Sequence, residues 1–122
     1  MAKTILIVDD SASIRQVVSL TLKGAGYDVV DAQDGKDALS KLDGRKINLV
    51  ISDVNMPNMD GITFVKEMKA MPAYKFTPVI MLTTEGGEAK KRDGQMAGAK
   101  AWVVKPFQPA QMLDAVSKLI LP

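Results

Sequence analysis

The 122-residue chain contains no cysteine and no histidine. That excludes disulfides, thiol nucleophiles, Cys- or His-based zinc sites and any mechanism with histidine as general base. Chemistry is left to Asp, Glu, Lys, Ser, Thr, Tyr and backbone groups. Long apolar runs are missing too. Ile5–Val8 and Val79–Leu82 hold four residues each, against roughly 18 for a membrane span and about 7–15 for the apolar part of a secretory signal. A cytoplasmic protein without a membrane partner is expected. Nor is there a strong charge of one sign. Sixteen basic residues against fourteen acidic ones give +2, which does not argue for nucleic acid as a partner.

What is present suits one soluble domain, with 47% hydrophobic and 25% charged residues. Short apolar runs alternate with longer mixed segments. Thr4–Val8, Asp28–Ala32, Asn48–Ser52, Pro78–Leu82 and Ala101–Val104 read as buried strands. The intervening segments read as helices. Met112, Leu113, Val116, Leu119 and Ile120 make one apolar stripe, with Pro109 in the first turn. Ile14, Val17, Val18, Thr21 and Leu22 make another, with Ser13 and Gln16 spaced as a capping box. Gly24 or Gly26, Gly44 and Gly98 follow helical segments, as left-handed end residues do. Five strands and five helices in alternation predict an α/β fold around a parallel sheet, with no second domain.

Open parallel sheets bind ligands beyond the carboxyl ends of their strands. Those ends carry Asp9-Asp10, then Asp31-Ala32 followed by Asp34-Gly35, then Asp53, Thr83-Thr84 and Lys105. Three carboxylates in one pocket repel by about 3 kcal/mol per pair at ~5 Å and an effective dielectric of ~20. Lys105 offsets one charge. A divalent cation offsets two, and oxygen-only ligands favour Mg²⁺ over zinc. Mg²⁺, a lysine, a hydroxyl and a carboxylate nucleophile suit phosphoryl transfer through an aspartyl phosphate. Each element has a plainer reading: an Asp pair in a turn, a structural Thr, a solvated Lys before Pro. Their joint placement at the ends of four strands is what carries weight.

The stretches ILIVDD (Ile5–Asp10), SDVNMPNMDG (Ser52–Gly61), VIMLT (Val79–Thr83) and VVKPF (Val103–Phe107) resemble the receiver domains of two-component response regulators. The resemblance spans essentially the whole chain, read as a single receiver domain over residues 1–122 without an output domain, of the stand-alone chemotaxis CheY type. It implies a doubly wound (βα)5 flavodoxin-like fold with strand order 2-1-3-4-5. It implies Asp53 as phosphoacceptor, and Asp10 and Asp53 as direct Mg²⁺ ligands. Asp9 would act through metal-bound water, and Asn55 would give its backbone carbonyl. Thr83 is the implied switch hydroxyl and Lys105 the lysine that follows the phosphoryl charge, in a cis bond to Pro106. Trp102 takes the switch-aromatic position. The implied output is a change of the surface formed by the fourth and fifth helices and the fifth strand.

Trp102 stands where Tyr or Phe is usual, and Thr84 where a small residue is usual. A larger ring and a narrower path oppose full inward rotation. Asn55 and Glu85 flank the site where the family tunes phosphoryl lifetime. The segment after Gly86-Gly87, with Gly94 inside it, reads as a marginal helix. The resemblance implies a histidine kinase of the CheA type as donor, a flagellar motor switch protein or a phosphatase as further partner, and a monomer. A phosphate sink or relay intermediate would use the same residues. An aspartyl-phosphate phosphohydrolase would need a second Asp where Asn55 stands. An electron carrier of flavodoxin type would need a phosphate loop where Asp9-Asp10 stand. A P-loop is absent. Lys90-Lys91-Arg92 reads as a solvated helix face, Met68, Met71, Met96 and Met112 as core or partner surface, Met56-Pro57 as a turn at the site entrance, and Tyr27 and Tyr74 as packing.

Overall fold

Runs of Val, Ile and Leu cannot stay in water, and strands of four or five residues bury them on both faces of a sheet only if helices cover both sides. The computed structural model, which describes residues 3–54, 56–83, 98–104 and 108–121, has this arrangement. Its strands are β1 (Thr4–Val8), β2 (Asp28–Ala32), β3 (Leu49–Asp53), β4 (Val79–Thr83) and β5 (Ala101–Val104). They form one parallel sheet in the order β2-β1-β3-β4-β5. The helices among the described residues are α1 (Ala12–Gly24), α2 (Gly35–Lys41), α3 (Gly61–Lys69), a 3-10 turn at Pro72–Tyr74, and α4 (Pro109–Leu119). None is long and apolar enough to cross a membrane.

The alternation of strand residues sorts the core into two halves. Leu6, Val8, Val50, Val79 and Met81 pack with Ala38, Phe64, Val65 and Met68 of α2 and α3. Ile5, Ile7, Leu49, Ile51, Ile80, Leu82 and Val103 pack with Val18 and Leu22 of α1 and Met112 and Val116 of α4. Met68 and Met112 are core, as expected. Asn48, also buried, ties the chain ends together. Its side-chain oxygen accepts from the Thr4 amide at 2.9 Å, and its side-chain nitrogen donates to the Leu121 carbonyl at 3.2 Å.

Several local expectations shift. β3 and β4 each begin and end one residue later than the apolar runs suggest, because Asp53 and Thr83 still carry ladder partners. The α1 cap is Ser11, whose hydroxyl accepts from the Ile14 amide at 3.3 Å, so the Ser13–Gln16 capping box does not form and Ser13 sits inside the helix. Val17 lies outside the buried stripe at 50% exposure, beside Leu20, while Val18 and Leu22 are fully buried. Gly26, Gly44 and Gly98 have φ of 96°, 100° and 111°, the left-handed values their positions required; Gly24 instead ends α1. Pro109 opens α4 as expected, but the helix stops at Leu119, so Ile120 at the end of the expected stripe lies just outside it. Tyr74 does more than pack: its hydroxyl donates to the Arg45 carbonyl at 2.8 Å and accepts from the Gly44 amide at 3.0 Å. The helix expected between β4 and β5, with Thr84, Glu85, Gly86, Gly87, Gly94, Met96 and the basic run Lys90-Lys91-Arg92, lies outside the described residues.

Candidate functional site

The register of β1 on β3 builds the site. Val8 is opposite Ser52, so the next residues, Asp9 and Asp53, lie side by side at the carboxyl ends of β1 and β3. Asp9 is fully buried, Asp53 is 7% exposed and Asp10 faces solvent. One carboxylate oxygen from each of the three lies within 4.8 Å of the others. The sequence expectation of a converging acidic trio is met.

Backbone amides hold these side chains. The Ser11 amide donates to Asp9 Oδ1 at 2.9 Å, and the Val54 amide donates to Asp53 Oδ1 at 2.8 Å. The Val54 amide also reaches the Leu82 carbonyl at 3.1 Å, which ties the acidic loop to β4. α3 starts hard against Asp53. Gly61 donates to the Val54 carbonyl at 2.8 Å, and a Cβ on Gly61 would collide with the Asp53 carbonyl. Asp60 caps that helix through the Thr63 amide at 2.7 Å.

Two supports escaped the sequence reading. Arg15, in the first turn of α1, donates to the Asp9 carbonyl at 2.6 Å and pairs with Asp31 at 3.3 Å. It brings a positive charge to the acidic rim and joins the ends of β1 and β2. An arginine six residues after Asp9 was the available signal. The second is a latch on the loop after β3. Asn58, at φ 68°, donates to Asp34 Oδ2 at 2.9 Å, while Asp34 Oδ1 caps α2 through the Asp37 amide at 2.8 Å. The Asp37 amide first, and Asn58 after it, hold the Asp34 carboxyl below its ordinary value. Met56 of the Met56-Pro57 turn packs against the core.

Thr83 is the last residue of β4, opposite Val104, where β5 ends at the same rim. Trp102 lies on β5 opposite Met81. Its half-buried ring packs against the α2–α3 half of the core, and its indole nitrogen is shut from solvent with no hydrogen-bond partner among the described residues. Asn55, Lys105, Pro106 and Phe107 lie outside the described residues. The donor set in hand is three carboxylates with no nitrogen or sulfur. It fits a hard divalent cation such as Mg²⁺, which takes one or two carboxylates and keeps waters.

A parallel sheet in this order, with an acidic trio at the ends of its first and third strands, is the receiver arrangement. Residues 5–117 match the response regulator receiver domain, and the chain belongs to that family. Receiver domains are signalling switches that take a phosphoryl group from a histidine kinase and act on downstream targets. The chain is 40% identical over 119 residues to chemotaxis protein CheY1 of Helicobacter pylori, covering 96% of this chain and 95% of that protein. It is 37% identical over 112 residues to protein PilG of Pseudomonas aeruginosa, covering 92% and 83%. Its structure is similar to chemotaxis protein CheY4 of Vibrio cholerae, with a TM-score of 0.94 and 48% identity, covering 98% of this chain and 99% of that one.

Proposed function

We propose that this chain is a Mg²⁺-dependent phospho-accepting receiver in a two-component phosphorelay serving chemotaxis, with Asp53 as the acceptor. The observation that carries the reading is the acidic trio, with oxygens within 4.8 Å of one another at one rim. Asp10 and Asp53 would hold Mg²⁺ directly, with Asp9 acting through water and the Asn55 carbonyl completing the set. Bound there, the ion supplies positive charge that offsets the carboxylates and the incoming phosphoryl oxygens.

The chain's own residues supply position. The Val54 amide fixes the Asp53 carboxylate, the Ser11 amide fixes Asp9, and Arg15 ties the Asp9 carbonyl to Asp31. The Asp53 carboxylate forms a bond to phosphorus as the phosphorus–nitrogen bond of a kinase phosphohistidine breaks, and its electron pair returns to the imidazole. The acceptor then goes from about −1 to about −2 in charge. Thr83 and Lys105 would follow that charge with charge-assisted hydrogen bonds. Trp102 on β5 is the proposed switch aromatic, acting by a shift smaller than the full inward rotation that its size opposes. The target is a partner such as a flagellar motor switch protein, met by the monomer in the cytoplasm.

Two measurements test this reading. In a Mg²⁺ titration by calorimetry, Asp10→Asn and Asp53→Asn should each weaken binding by about tenfold or more. Unchanged affinity in both variants would remove the trio as the metal site. A motor-switch peptide should bind the phosphorylated protein more tightly than the unphosphorylated one. Equal or absent binding in both states would remove the motor target.

A further inference from the structure

At the opposite pole of the sheet, by the amino ends of β4 and β5, a groove of about 470 Å³ is lined by Lys69, Lys75, Phe76, Gly98 and Lys100. Phe76 is 80% exposed, the most exposed large apolar side chain described. The Lys75 ammonium sits 5.6 Å from the centre of its ring. Lys69 closes α3 and donates to the Thr77 carbonyl. Its stem runs under Gly98, where a Cβ would lie 3.3 Å from Lys69 Cε. The Lys100 amide is pinned to the Val79 carbonyl at 2.8 Å. Among the described residues, no carboxylate lines the groove.

We infer that this groove docks an acidic peptide segment of a partner protein, with carboxylates among Lys69, Lys75 and Lys100 and an apolar side chain against Phe76. Charge complementarity carries the choice of occupant. Three lysines line one groove, Lys100 close enough to Lys69 to repel its charge, and the exposed Phe76 leaves an apolar face in water. An acidic-apolar segment satisfies both at once. Burial and the nearby Lys100 also push the Lys69 ammonium toward its neutral form, a cost that a carboxylate partner would relieve. The volume suits a few side chains of a peptide. A nucleic-acid backbone would need a longer basic stripe than this compact cluster. β4 separates the groove from the acidic rim by about 16 Å, five residues at roughly 3.3 Å each, so a peptide docked here does not touch Asp53.

The test is fluorescence anisotropy on the full chain with a labelled hexapeptide of alternating glutamate and leucine. A glutamine–leucine hexapeptide and a labelled single-stranded oligonucleotide run alongside. The acidic peptide should bind saturably and the glutamine peptide should not. Lys100→Glu and Phe76→Ser, both surface changes, should each weaken binding by about tenfold. Asp53→Asn should bind like the unmodified protein, which keeps this result separate from that of the phospho-receiver reading. Absence of saturable binding, or binding that both groove variants leave unchanged, overturns the inference. Tighter binding of the oligonucleotide, lost in the same variants, also overturns it and assigns the groove to nucleic acid.

Discussion

Single residues set the geometry of the acidic rim. Gly61 is the clearest case: a Cβ there meets the Asp53 carbonyl and, at 3.1 Å, the end of Met81. Gly61→Ala is expected to destabilise the fold by about 3 kcal/mol and to weaken Mg²⁺ binding, because relief requires moving the strand end that carries Asp53. Urea denaturation and a metal titration check the two parts. Asn58 acts on the same loop from the other side through Asp34. The folded Asp34 carboxyl lies below the ordinary value of 3.8, so its contribution is full above that value and is lost as pH falls through the lower folded one. Asn58→Ala should therefore be less stable than the unmodified protein at neutral pH, with the gap narrowing as the pH falls below the ordinary carboxyl value of 3.8. The gap should not close fully, because alanine also resists the left-handed backbone at this position. Denaturation at the two pH values measures both contributions; a pH-independent gap would separate Asn58 from the Asp34 titration.

At the scale of elements, helix starts hold the site. α1 begins at once after the Asp9-Asp10 turn, and Ser11 serves both, capping the helix with its side chain and holding Asp9 with its amide. Ser11→Ala removes only the cap and should cost about 1 kcal/mol, read as a lower midpoint in thermal unfolding. No change would mean that Ser13 takes over the cap. This helix start also shows how far sequence reading reached. The spacing of Ser13 and Gln16 pointed to a capping box, yet Ser11 is the cap, since pattern alone does not say where the chain leaves the turn. The strands were legible because apolar runs bounded by polar residues have few other uses. Their last residues were not, since Asp53 and Thr83 are polar yet still paired. Asp9, Asp10 and Asp53 were legible as a site because each follows such a run. The Asp34–Asn58 latch was not. It joins residues 24 apart, and neither side chain stands out until the loop after β3 folds back on α2.

At the scale of the molecule, the parallel sheet separates two chemistries. The carboxyl ends of β1 and β3 gather three carboxylates. The amino ends of β4 and β5 gather lysines around an exposed ring. A net charge of +2 hides both, which is why composition pointed to neither. The central proposal, drawn from the acidic trio, is that Asp53 accepts a phosphoryl group with the help of Mg²⁺. The most direct measurement is the intact mass of the protein after treatment with a small acyl-phosphate donor, with and without Mg²⁺, beside Asp53→Asn. The account predicts one phosphoryl adduct that requires Mg²⁺ and is missing from the variant. No adduct on folded protein with Mg²⁺ bound, or an equal adduct in Asp53→Asn, would contradict it.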